Sequence, residues 1–135
     1  MALLARIASP SGDATHLMKV PQVAGDLYAG EALDAVAACR IAADGLVYMS
    51  NGTANDANAR FNGFTARAVA AGQPVTLYRL GARFGYGTGL TPGAQYFVAA
   101  TAGRLDTAAT TGGLVAIAEA INTTDIQVIL MRAGA

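Results

Sequence analysis

The sequence predicts a mainly β protein, a small antiparallel β-barrel or β-sandwich with an extended N-terminal arm. Short apolar runs alternate with turn-forming residues along most of the chain, and the 3.6-residue periodicity of a helix is rare. Charged residues form only 13% of the chain and its net charge is zero, whereas roughly 25% of the residues of an ordinary soluble domain are charged. We expect a chain with so little charge to associate with partners.

The first 20 residues differ from the remainder, and we assign residues 1–20 to an N-terminal arm and residues 21–135 to a β-rich domain. Residues 9–13, Ser-Pro-Ser-Gly-Asp, favour turns and end any helix that begins near Ala2. We expect the arm to be extended and to become ordered when a partner binds it. Its apolar side chains are the candidate contacts with a binding partner or a neighbouring subunit: Leu3, Leu4, Ile7, Leu17 and Met18.

The first predicted strand covers residues 33–41, where small or apolar side chains face one way and Asp34 and Arg40 face the other. Asp44-Gly45 and the run 46–49 follow. They predict a hairpin, because Asp-Gly readily adopts the positive φ of a type I′ turn. The Asn-rich residues 53–58 are expected to form a loop with one helical turn.

Further strands are predicted at residues 60–69, bent at Gly63, and at 75–80 and 82–86, which are separated by a bulge or bend at Gly81. Residues 95–99 form the next strand. The runs 114–117 and 126–131 are apolar on both faces, so we expect both to be covered on both sides. A helix over 114–121 is the alternative there. The two glycines before it and its β-branched residues favour the strand. Many short strands at this spacing are typical of an antiparallel sandwich or barrel.

No group of residues has the pattern of a catalytic, metal or cofactor site. His16 is the only histidine, and Asp13 is the only candidate partner near it in the sequence. Cys39 lies on the apolar side of its predicted strand, where a cysteine behaves as a small hydrophobic residue. The glycines of 85–89 lack the dinucleotide-binding spacing. We therefore predict that the protein is not an enzyme and has no catalytic residue, metal or cofactor.

Composition also bears on the partners. The basic residues are spread along the chain without the stripe of a nucleic-acid-binding protein, so no nucleic-acid partner is predicted. No apolar run approaches the length of a membrane-spanning helix, so no membrane partner is predicted. Arg6 follows the first apolar residues, whereas a signal peptide carries its positive charge before them. A single cysteine and no secretion signal favour synthesis in a reducing cytoplasm.

Aromatic residues cluster between Phe61 and Phe97. Such rings can form a stacking platform for sugars or single-stranded nucleic acid. The cluster falls within predicted strands and contains no tryptophan, which favours packing in the core or at a subunit interface.

Several stretches, in this order, resemble the capsid decoration (cement) proteins of tailed bacteriophages. Residues 29–49 contain AGEAL and DGLVYM and lead into the Asn- and Ala-rich loop. They are followed by AAGQPVT at 70–76, GLTPGAQYF at 89–97, GGLVAIA at 112–118 and IQVIL at 126–130. The resemblance covers about residues 24–130, is loose over 60–68 and does not include the first 20 residues.

This resemblance implies a non-enzymatic structural virion protein that binds the outer surface of the capsid lattice and stabilises it. Its partners would be the major capsid protein and other copies of itself, as a homotrimer at threefold positions. It would be made in the host cytoplasm and located on the outside of the capsid.

Two alternatives remain open from the sequence. Hairpins like LTPGAQYF also occur in phage tail and fibre proteins, so a tail or baseplate component is one alternative. The other is a host-surface or carbohydrate-binding module that uses exposed aromatic residues such as Tyr86 and Tyr96. Burial of both tyrosines would count against that module.

Overall fold

The computed structural model describes residues 3–6 and 23–130, which form two antiparallel five-stranded sheets. The predicted mainly β fold is confirmed. Of the two predicted architectures, the described residues adopt the sandwich, because one apolar cluster lies between the two sheets and neither sheet is a closed barrel. None of their helical segments is long and apolar enough to cross a membrane.

The first sheet uses strands from the N-terminal half of the chain. Its strands are β1 (Val23–Tyr28), β2 (Ala38–Ile41), β3 (Val47–Met49), β4 (Gly63–Thr65) and β5 (Pro74–Tyr78). They are hydrogen-bonded in the order β1-β5-β4-β2-β3. Beyond β1, Gly30 donates its N–H to the carbonyl of Val47 at 2.8 Å, so the sheet curls until its two edges approach each other.

The second sheet uses strands from the C-terminal half. Its strands are β6 (Arg83–Gly85), β7 (Gln95–Val98), β8 (Leu105–Asp106), β9 (Ala118–Ala120) and β10 (Asp125–Val128). Their order is β6-β10-β9-β7-β8. The chain changes sheets between β5 and β6 at Gly81, which has φ +91°. The predicted bend at Gly81 is therefore the crossover of the sandwich.

The predicted hairpin between residues 33 and 49 is confirmed as β2–β3, with Arg40 opposite Tyr48. Its turn differs from the predicted type. Gly45 has φ +84°, whereas Asp44 is not among the residues with positive φ, and the Gly45 N–H donates to the carbonyl of Ala42 at 2.9 Å. This is the type I turn with a glycine bulge that longer hairpin loops use. The predicted helical turn is a single 3₁₀ turn, Ala57–Ala59, capped by the Asp56 side chain.

Three predicted strands are wrong in part. Of the predicted run 60–69, only Gly63–Thr65 forms a strand, β4. Residues 33–37 lie outside β2, because Val36 adopts φ +45°, which no strand tolerates. The run 114–117 also lies outside the sheet, and the side chains of Leu114 and Val115 are 63% and 55% exposed instead of covered. The reason is a loop contact: Gly112 donates its N–H to the carbonyl of Gly52 at 2.9 Å, and β9 begins only at Ala118.

The larger apolar cluster lies between the sheets and contains most of the aromatic residues. Phe64 contacts both Phe61 and Phe84 edge to face, with ring centroids 5.3 and 5.1 Å apart. A smaller cluster that includes Cys39, Val47 and Leu77 fills the concave side of the curled first sheet. The prediction that the aromatic residues serve packing is confirmed for these phenylalanines.

Candidate assembly surface

Residues 3–6, which we call the N-terminal segment, lie along the outer edge of β8. Leu3 forms an antiparallel bridge with Asp106, and Leu4 donates its N–H to the carbonyl of Leu105 at 2.8 Å. The Leu4 side chain packs against the larger apolar cluster, while Leu3 is 43% exposed. Of the five candidate arm contacts, these are the two that the structure describes.

The other three candidate contacts, Ile7, Leu17 and Met18, lie outside the described residues. The boundary between an arm of residues 1–20 and a domain of residues 21–135 stays a prediction, and so does the attachment role of the arm. Residues 3–6 nevertheless contact the β-rich domain directly.

Arg6 joins the N-terminal segment to the turn before β2. Its Nη1 donates to the carbonyl of Ala35 at 2.7 Å, and its Nη2 forms an ion pair with Asp34 at 3.3 Å. The Arg6 side chain is 14% exposed and that of Asp34 is 54% exposed, so the pair is partly screened by water and weak by itself. The partly buried hydrogen bond to Ala35 fixes the position of the guanidinium. Sequence reasoning missed Arg6, because its partner lies 28 residues away.

Three further large apolar side chains are exposed towards one end of the second sheet, which we call the apolar end: Leu80, Leu114 and Val115. Gly81 donates its N–H to the carbonyl of Val128, and Ile129 donates to the carbonyl of Ile117. These bonds place Leu80 on one side of residues 129–130 and residues 115–116 on the other. Residues 107–118 contain no ionisable side chain, whereas Arg79 and Arg83 flank the segment that contains Leu80.

The exposure of Leu114 and Val115 contradicts the prediction that the run 114–117 is covered on both sides, whereas Ile117 of the same run is fully buried. The sequence signal was present, because residues 107–118 carry no charge. An uncharged run is compatible with a buried strand and with an exposed loop, and here Leu114 and Val115 lie exposed in the loop before β9. Large exposed apolar side chains that lie together are typical of surfaces that bind other proteins.

The aromatic residues offered for carbohydrate binding are not on the surface. Tyr86 is fully buried and Tyr96 is 3% exposed. The hydroxyl of Tyr86 accepts a hydrogen bond from the Leu105 N–H at 3.2 Å, and burial raises the pKa of Tyr86. Neither ring has a face open to a sugar, so the observation on which the carbohydrate-binding alternative depended is gone.

Titratable groups with reactive potential are few in the described part of the chain. Cys39 is fully buried, and burial, with smaller contributions from the charges of Glu31 and Asp34, raises the pKa of its thiol. A buried neutral thiol is a poor nucleophile. Within residues 3–6 and 23–130, no group of His, Cys, Asp and Glu side chains is arranged to hold a metal ion. His16 lies outside these residues.

A groove of about 250 Å³ lies between residues 66–69 and β5, with Arg67, Thr76 and Tyr78 among its walls. Its volume is below the roughly 300–1,000 Å³ of typical small-molecule sites.

No protein-family model matches the sequence, and no curated protein matches it. The surfaces that bear on function are therefore those of the molecule itself, the N-terminal segment and the apolar end.

Proposed function

We propose that this chain is a non-enzymatic structural virion protein that binds the outer surface of a capsid lattice and cements it, acting as a homotrimer at threefold positions. The observation that carries the proposal is the apolar end, where Leu80, Leu114 and Val115 are exposed and where residues 107–118, which include Leu114 and Val115, carry no charge. The resemblance of residues 24–130 to phage decoration proteins supports it, as does the low content of charged residues.

A cementing protein needs binding free energy and rigidity instead of chemistry. A shell filled with packaged DNA fails where neighbouring capsomers separate. A rigid body bound across such a junction stabilises the joined state by its binding free energy, repeated over many copies. The sandwich supplies the rigid body, because its two sheets share one apolar cluster.

The direct test is co-sedimentation of the purified protein with expanded capsids that lack it. We expect saturable binding with a copy number set by the threefold positions of the lattice. A folded protein that fails to sediment with capsids would contradict the proposal.

The contribution of the apolar end is tested with Val115→Lys. A lysine there places a charge in the contact, which must be desolvated on binding, so capsid affinity should fall at least tenfold. The matched control is Thr91→Lys, which adds the same charge at an exposed turn far along the chain from the apolar end. Equal affinities of the two variants would remove the apolar end from the capsid contact.

A tail or baseplate component is the second candidate, because an uncharged apolar end would serve equally in a ring or fibre. Such a component should form long or ring-shaped particles by itself at high concentration. Electron microscopy of the purified protein distinguishes the two, since a capsid cement protein should remain a small oligomer without the shell.

A further inference from the structure

The N-terminal segment occupies a slot that several distant parts of the chain build. The Leu4 N–H bonds to Leu105, and the Leu4 carbonyl accepts from Arg104 Nη2 at 2.9 Å. We propose that residues 3–6 are an exchangeable strand, and that in the oligomer the slot of one copy holds residues 3–6 of a second copy. This exchange rests on the proposed function, which includes a homotrimer, and it makes a second copy of the chain the partner that fills each slot.

The slot is shaped for the residues that occupy it. A Cβ atom placed on Gly87 would lie 2.5 Å from the carbonyl oxygen of Ala5, so the segment can pass only because position 87 has no side chain. Leu4 packs against the larger apolar cluster. Arg6 donates to the carbonyl of Ala35. A short extended peptide that adds a strand to a sheet edge in this way is a recurrent mode of recognition.

The connection from the segment to the domain is longer than an intrachain path needs. Asp34 and Ala37, which flank the Arg6 contact, bond to the Thr65 hydroxyl. Thr65 pairs with Leu77 in β5, and Leu77 pairs with Ala24 in β1. With neighbouring strands about 4.8 Å apart, the turn that the Arg6 side chain contacts and the start of β1 are separated by roughly 15 Å.

About five extended residues would span that gap, at roughly 3.3 Å per residue. The chain instead supplies residues 7–22, which can reach about 50 Å. A folded domain of this length has a radius of gyration of about 14 Å. The connection is therefore long enough to carry residues 3–6 to the slot of an adjacent copy.

Exchange leaves the contacts of each slot unchanged. A strand makes the same hydrogen bonds whether it comes from its own chain or from a neighbour, so the effective concentration decides between the two. In a closed trimer every copy gives one segment and receives one, and no slot is left empty. The exchanged connections then add to the other contacts that hold the trimer together.

The test uses the full-length chain with Leu3→Cys and Asp106→Cys. These residues form the closely spaced type of antiparallel pair, because Leu4 donates to Leu105 beside them. Their Cα atoms are therefore within the range a disulfide requires. After oxidation, we expect covalent trimers in non-reducing gels. An internally bonded monomer would show that the strand stays in its own chain and would overturn the proposal. Leu3→Cys alone is the control and should give no trimer.

A second measurement does not depend on cysteines. Gly87→Ala should obstruct the slot and reduce the sedimentation coefficient of the oligomer towards that of the monomer. Gly85→Ala is the matched control, since a Cβ there meets nothing closer than 3.8 Å. An unchanged oligomer in Gly87→Ala would contradict exchange. Neither experiment uses capsids, so self-assembly by strand exchange and capsid binding can fail separately.

Discussion

Phe64 in the first sheet and Phe84 in the second meet edge to face, with their ring centroids 5.1 Å apart and both side chains fully buried. Aromatic pairs prefer this geometry, because the positive edge of one ring lies against the negative face of the other. The contact joins two sheets that come from different halves of the chain. It therefore holds the sandwich together at a point that neither half supplies alone.

Replacing Phe64 by alanine should lower the free energy of unfolding by about 3–5 kcal/mol, because the cavity adds to the lost apolar burial. Denaturant unfolding followed by circular dichroism measures it. Tyr28→Ala is the control. The side chain of Tyr28 is 49% exposed, and its loss should cost much less than that of Phe64. Equal losses in the two variants would show that Phe64 does not join the sheets.

Asp26→Gly should stabilise the protein by about 0.5–1 kcal/mol, because Asp26 has φ +60° and glycine adopts that conformation without strain. Asp56→Gly should act in the opposite direction. Asp56 has φ −140°, and its side chain accepts from the Asn58 N–H, so glycine removes a cap and adds chain entropy to the unfolded state. Thermal unfolding of both variants is the measurement. If both substitutions change the stability in the same direction, the positive φ at Asp26 is contradicted.

The pKa of Asp44 should rise in Tyr48→Phe. The Leu46 N–H and then the Tyr48 hydroxyl donate to the Asp44 carboxylate, at 2.9 and 2.8 Å, and hold its pKa below the ordinary 3.8. The variant keeps the first bond, so its pKa should remain below the ordinary value. The stabilisation from these bonds is present above the unfolded pKa and disappears as the pH falls through the folded one.

An NMR titration of the Asp44 carboxyl carbon measures this shift. Tyr28→Phe removes a hydroxyl elsewhere and should leave the midpoint where it is in the unaltered protein. If Tyr48→Phe also leaves it there, the Tyr48 hydroxyl does not contribute to the lowered pKa.

The thiol of Cys39 should not react with a thiol reagent in the folded protein and should react fully after unfolding in guanidinium chloride. Its side chain is fully buried, so the reagent cannot reach the sulfur. Burial also raises the pKa of the thiol, so the reactive thiolate does not form. Asp26→Cys provides the positive control, since position 26 is exposed and its thiol should react in the folded state. Rapid labelling of Cys39 under native conditions would mean that the first sheet opens readily.

Local chemistry made several parts of this fold predictable from the sequence. The β2–β3 hairpin follows from Asp44-Gly45, because the positive φ of Gly45 needs no support from distant residues. The mainly β fold class follows from the alternation of short apolar runs and turns. The burial of Phe61 and Phe64 follows from the size and apolarity of their rings. The apolar character of Leu3 and Leu4 is also visible in the sequence, and their role as capsid or subunit contacts stays a prediction.

The tertiary structure decided what depends on residues far apart in the chain. Val36 leaves the predicted strand because Thr65, at the end of β4, bonds to Asp34 and Ala37 on either side of it. Leu114 and Val115 are exposed because the loop before them is held elsewhere, where Gly112 bonds to Gly52. No local pattern encodes either contact.

The same holds for the two surfaces on which function is proposed. The sequence by itself determined the chemistry they carry: uncharged apolar segments, and an N-terminus with adjacent leucines followed by an arginine. Only the folded chain brings Leu80 and residues 115–116 to the two sides of residues 129–130, and only it assembles the slot for residues 3–6 from positions 34–35, 87 and 104–105. Each residue is apolar by its own chemistry. A binding surface also requires that several such residues lie close together, and the pairing of strands far apart in the chain sets the distances between them.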